Sequence, residues 1–124
     1  GNIYFHANKE LMPVRMDRIY LSRIFTNMIT NAKQAVSEQR KSIINIDAEL
    51  FNKKIIIVIE DNGIGIPKDK LEQIFEPNFT TKNSGMGLGL TMVKKMIEEY
   101  KGEISVKSEE GKGTKFTIIL PTNV

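Results

Sequence analysis

The spacing of apolar residues changes along this chain, and each change marks a candidate element. Residues 2–7, NIYFHA, read as a short strand. In MDRIYLSRIFTNMITNAKQAVSE, Leu21, Phe25, Met28, Ala32 and Val36 recur every three or four positions, which predicts an amphipathic helix with these residues on its inward face. Asp17 stands near its start, where a negative charge suits the helix dipole. SIINIDAELF and KIIIVIED read as two strands joined at NKK. The second is apolar almost throughout, which predicts a central strand covered on both faces. DNGIGIP breaks it with two glycines and a proline. KDKLEQIF predicts a short helix, and EPNFTTKNSG, aperiodic and rich in turn formers, a loop. LGLTMVKKMIEEY predicts a second long helix closed by Gly102. EISVKSE, a turn at EGKG and TKFTIILP predict a final hairpin. This order predicts an α+β two-layer sandwich: three helices on one face of a mixed, mostly antiparallel sheet of about five strands.

Composition narrows the class. The chain has 124 residues, 40% hydrophobic and 27% charged, which suits a single soluble domain. No apolar run approaches the roughly 20 residues that span a bilayer. The absence of cysteine excludes disulfides and thiolate metal sites, and the single His6 argues against a histidine metal cluster. A net charge of +3 on scattered lysines lacks the basic stripe expected for nucleic acid. With no initiator Met, and Gly1 directly ahead of a strand-like segment, residues 1–124 read as one domain cut from a longer protein.

Several residues could carry chemistry. Asp61 ends an apolar strand, so its carboxylate meets the edge of the core and needs a donor. The exocyclic amine of adenine would supply one, whereas the carbonyl of guanine would be repelled; taken alone, an ordinary DNG turn after a strand is the better reading. Gly63 and Gly65 follow and would let a flat ring lie on backbone. Asn27 and Asn31 stand one helical turn apart, with Gln34 beyond, on a stripe facing away from Leu21, Phe25, Met28 and Ala32. Amide oxygens there could hold Mg²⁺ beside phosphates, or could simply face water. Gly85, Gly87 and Gly89 lead into the second helix, whose N-terminal amides could bind phosphate; a flexible hinge after the loop is the other reading, and both can hold. Lys82 could reach a terminal phosphate, or be a solvated loop lysine. Phe75 and Phe79 flank the loop as anchors, and Thr114 could bond near a base. No GxxxxGK[ST] occurs, so a P-loop is excluded at the motif level.

Taken in order, NMITNA, DNGIGIP, IFEPNFTTK, GMGLGL and GKGTKFTIILP resemble the ATP-binding domain of sensor histidine kinases, in the GHKL superfamily, over essentially the whole chain. NAKQA and FEPNFTTK are most similar to the nitrogen-regulation type; Gln34 stands where many histidine kinases carry Lys. The resemblance implies a Bergerat fold with ATP and Mg²⁺ as cofactors. It implies Asn31 on the metal, Asn27 close to the phosphates, Asp61 on the adenine amine, Gly63 and Gly65 around the base, and a lid at about residues 76–87. It implies catalytic roles for Asn27, Asn31 and Lys82, and further nucleotide contacts at Ile66, Phe75, Thr80, Thr81, Lys82, Gly85, Gly87, Leu88, Gly89 and Thr114. The implied acceptor is a histidine on the parent's separate dimerisation domain, with a response regulator served indirectly. His6 lacks a helical acceptor context. The fragment is expected to be monomeric and cytoplasmic, and its parent a homodimer anchored in the inner membrane. Two alternatives are a GHKL ATPase module and a non-catalytic nucleotide-dependent interaction module. The ATPases carry a water-activating Glu where this chain has Asn27.

Overall fold

A computed structural model describes residues 2–7, 18–34, 41, 43–76 and 86–121. Within these, strands β1 (Asn2–Ala7), β2 (Ile43–Phe51), β3 (Lys54–Asp61), β4 (Glu103–Glu109) and β5 (Gly113–Pro121) form one sheet in the order β1-β2-β3-β5-β4. β1 runs parallel to β2, and the other pairs are antiparallel. Helices α1 (Arg18–Gln34) and α2 (Met86–Glu99) join the core on one face. The α+β class and the strand count agree with expectation.

The alternation along β2, β3 and β5 explains the layering. Ile44 and Ile46, then Ile55, Ile57 and Ile59, then Phe116, Ile118 and Leu120 point to the helices and are buried. α2 contributes Leu90, Val93, Met96 and Ile97 at helical spacing, and α1 contributes Ile24 and Met28. Tyr20 and Tyr100 meet edge to face at 5.7 Å.

Four details depart from the sequence reading. In α1 the deepest residues are Ile24 and Met28, while Leu21 and Phe25 are only half-buried. The inward stripe is therefore rotated towards Asn27, which is half-buried beside it rather than on an opposite face. β3 is central, but Ile56 and Val58 on its second face are half-buried and no described element covers them. KDKLEQIF forms a single 3-10 turn, Lys68–Lys70, followed by turns. So short a segment is too weak a helix former to stand by itself, and Ile74 alone of it is deeply buried. At the end of α2, the positive-φ residue is Lys101 (φ 62°), not Gly102. The amide of Gly102 bonds to the Ile97 carbonyl at 2.9 Å and that of Lys101 to Glu98 at 2.9 Å, a Schellman pattern. Gly102 is needed because a Cβ there would lie 2.6 Å from the Ile119 carbonyl oxygen. Asp17, Val36 and Phe79 lie outside the described residues.

Candidate functional site

The polar residues of the core gather where β3 ends. Asp61 and Thr114 are the buried polar residues among those described, 7% and 5% exposed. They are register partners across β3 and β5, on the helix side of the sheet. Burial raises the pKa of Asp61 above its ordinary value. The backbone N–H groups of Gly63 and Thr114 oppose that shift, and the neighbouring charge of Glu60 adds to it. The Gly63 amide donates to Oδ1 at 2.8 Å. The protein thus supplies donors to this carboxyl itself, and a carboxylate still has acceptor positions left for a ligand.

The loop after Asp61 is tied down on two sides. Asn62 accepts from the Ile43 amide at 2.8 Å through Oδ1 and donates to the Lys41 carbonyl at 2.9 Å through Nδ2. Ser108 accepts from the Ile66 amide at 2.7 Å. The Gly111 amide reaches the Ile64 carbonyl at 2.8 Å. Gly65 has φ 78°, and a Cβ there would lie 2.2 Å from the Glu109 carbonyl oxygen. Its bare Cα therefore serves the β4–β5 turn; that side of Gly65 is not open to a ring, contrary to the simplest sequence reading. Gly113 closes the corner from β5. Its φ is 135°, and a Cβ would lie 2.0 Å from the Asp61 carbonyl oxygen.

Ile66 and Phe75 are half-buried and pack on the core. Phe75 meets Phe116 edge to face at 6.4 Å and carries Lys94 Nζ 5.3 Å above its ring. Thr91 Oγ1 donates to the Phe75 carbonyl at 3.0 Å, which fixes the start of residues 76–87 to α2. Phe75 is an anchor here. α2 begins at Met86, so Gly87, Leu88 and Gly89 belong to its first turn rather than preceding it. That turn holds the amides without intrahelical partners. Asn27 and Asn31 sit one turn apart in α1. The side chain of Asn31, and Thr80, Thr81, Lys82 and Gly85 entirely, lie outside the described residues.

A cavity of about 380 Å³ lies at the same end of the sheet. Glu60, Lys107 and Lys115 line it together with Asp61, Ser108 and Gly113, so it reaches the residues of this corner. Sequence reasoning missed Ser108 and Asn62. Both are ordinary polar letters whose partners are far along the chain. Among the described residues no His, Cys, Asp or Glu cluster suits a metal, and no helix is long and apolar enough to cross a membrane.

Comparisons with known proteins agree with this fold. Residues 16–124 match the family model described as histidine kinase-, DNA gyrase B-, and HSP90-like ATPase. The chain is 44% identical over 118 residues to the sensor histidine kinase ZraS of Salmonella typhimurium, covering 94% of this chain and 25% of that protein. It is 41% identical over 112 residues to sporulation kinase E of Bacillus subtilis, covering 90% and 15%. The chain thus spans a quarter or less of these relatives. Among solved structures it resembles the catalytic domain of histidine kinase ThkA, with a TM-score of 0.86, 30% identity, and coverage of 98% and 80%. It also resembles full-length ShkA in complex with AMPPNP, with a TM-score of 0.82, 25% identity, and coverage of 97% and 25%.

Proposed function

Because this chain belongs to the family of histidine kinase-, DNA gyrase B- and HSP90-like ATPases, we propose that it binds Mg-ATP and presents the γ-phosphate to a histidine on a separate dimerisation domain. It has the fold of histidine kinase catalytic domains. The observation that carries the nucleotide reading is the buried Asp61 carboxyl beside Thr114, in a corner that Gly65 and Gly113 allow to close. A buried carboxylate with acceptor positions left over suits recognition of a neutral donor such as the adenine amine. The AMPPNP carried by ShkA supports the same reading.

The proposed roles are those that the resemblance implies. Asp61 accepts from the adenine amine. Backbone at Gly63 lies against the base, with Ile66 beneath it and Phe75 anchoring the lid at residues 76–87. The first turn of α2, with Gly87 and Gly89, offers amides to the phosphates. Asn31 would hold Mg²⁺, which would neutralise charge on the phosphates, while Asn27 and Lys82 would contact them. The acceptor imidazole attacks phosphorus in line, the bond to the β-bridging oxygen breaks, and ADP leaves. The finer assignment to the nitrogen-regulation type rests on NAKQA and FEPNFTTK. A response regulator would take the phosphoryl group onward, and a supply of ATP puts the reaction in the cytoplasm.

Asn27 separates this reading from an ATPase. An amide has no useful basicity, so it takes no proton from water, whereas imidazole attacks through its own lone pair. The isolated chain should bind Mg-ATP and hydrolyse it very slowly. With the parent's dimerisation domain added, labelled ATP should yield an acid-labile phosphohistidine. Brisk hydrolysis by this chain alone, lost in Asn31→Ala, would overturn the kinase reading in favour of an ATPase.

A further inference from the structure

Ser108 has no assigned role, yet its hydroxyl meets three polar groups. It accepts from the Ile66 amide at 2.7 Å, donates to the Gly113 carbonyl at 2.9 Å, and lies 2.9 Å from Thr114 Oγ1. Counting protons fixes the direction of the third bond. A serine hydroxyl has one proton and two lone pairs. The Ile66 amide can only donate and the Gly113 carbonyl can only accept. Ser108 therefore has one lone pair left and no proton, so Thr114 must donate to it. Thr114 Oγ1 then retains acceptor capacity alone. Among the described residues nothing donates to it, although Thr114 is 5% exposed and pairs with Asp61 across the sheet.

We infer that Ser108 is a positioning residue for nucleobase selection: by taking the Thr114 proton, it makes Thr114 Oγ1 an acceptor-only group beside Asp61. Two acceptors side by side favour a base that presents a donor, such as the exocyclic amine of adenine. They disfavour a base with hydrogen or a carbonyl at that place, because a buried acceptor is then left unpaired. Without Ser108 the Thr114 hydroxyl turns freely and can donate as well as accept. The inference rests on the ATP reading above.

The test compares ATP with purine riboside triphosphate, which lacks only the amine, by titration calorimetry. Ser108→Ala should weaken ATP by about three- to tenfold while the amine-free analogue changes less than about twofold. Ser108→Thr, which restores a hydroxyl, should recover the selectivity. Thr114→Val should show the same selective loss, and it keeps the test open if Ser108→Ala does not fold. Equal weakening of both nucleotides in these variants would reduce Ser108 to a clamp on the loop and overturn the inference. If the unmutated chain binds the analogue as well as ATP, the inference fails while the nucleotide reading stands. If it binds neither, the nucleotide reading fails and takes this inference with it.

Discussion

The two ends of β3 are built by different means. At the Lys54 end the chain reverses through Asn52 and Lys53, with φ 51° and 63°, and both residues are exposed. That is the geometry of a primed hairpin turn, whose twist matches the strands it joins. Two positive-φ residues make the reversal at this end. At the Asp61 end closure depends on side chains: a buried carboxyl, the clip made by Asn62, the hydroxyls of Ser108 and Thr114, and Gly113 pressed against the Asp61 carbonyl. Buried polar groups are costly unless each is satisfied, so they are a poor way merely to end a strand. The contrast teaches where to look for function. A sheet needs only the first kind of closure; the second kind fits an end that recognises something.

Substitutions can break this contrast. The largest effect should come from Gly113→Ala. The added Cβ would fall 2.0 Å from a backbone oxygen at φ 135°, where no flexible neighbour can give way. It should cost about 3 kcal/mol or more of stability, read from the urea midpoint, and abolish ATP binding. A midpoint shift typical of surface changes would show that the corner can relax.

Asp61→Asn should separate recognition from stability. ATP affinity should fall by about 1–3 kcal/mol, with the circular dichroism spectrum unchanged. The pKa of Asp61 is raised, so between the unfolded value of 3.8 and the higher folded value the native state binds the extra proton. Stability contributed at this site therefore falls as pH rises through that window, and the penalty is complete above it. Asn carries no such penalty. The variant should be at least as stable as the parent at neutral pH, and that advantage should disappear as pH falls towards 3.8. Unchanged affinity in calorimetry would remove Asp61 from the site.

The smallest effect belongs to the other end. Lys53→Gly turns Asn52-Lys53 into Asn-Gly, which the primed turn favours. Stability should rise by about 0.5–1 kcal/mol, from thermal unfolding, with ATP affinity unaltered. A matching change in affinity would mean that the two ends of β3 are coupled.

Much of this architecture was legible in local pattern. All five strands and α1 stand where period and turn chemistry put them, and α2 does too apart from its earlier start at Met86. Asp61 was legible because a charge closing an apolar run must be satisfied somehow. Errors arose where tertiary contact decides. The inward face of α1 was misphased because Leu21 and Ile24 are equally apolar letters, and only packing on the sheet chooses between them. Gly65 looked like room for a ligand until the β4–β5 turn was seen to fill it. Ser108 was invisible because its hydroxyl matters only through a loop 42 positions earlier.

That separation also has a kinetic side. The corner exists only when Ile66 meets Ser108, 42 positions away, and Ile43 meets Asn62, 19 positions away. Each closure carries loop entropy that the local β2–β3 turn avoids. The contacts of Ile66 with Ser108 and of Ile43 with Asn62 should therefore form late in folding, which pulsed hydrogen exchange at the Ile66 and Ile43 amides would read. A molecule that requires the corner binds the finished fold and leaves earlier folding species alone. Its occupancy lengthens the lifetime of the native state without hastening its formation.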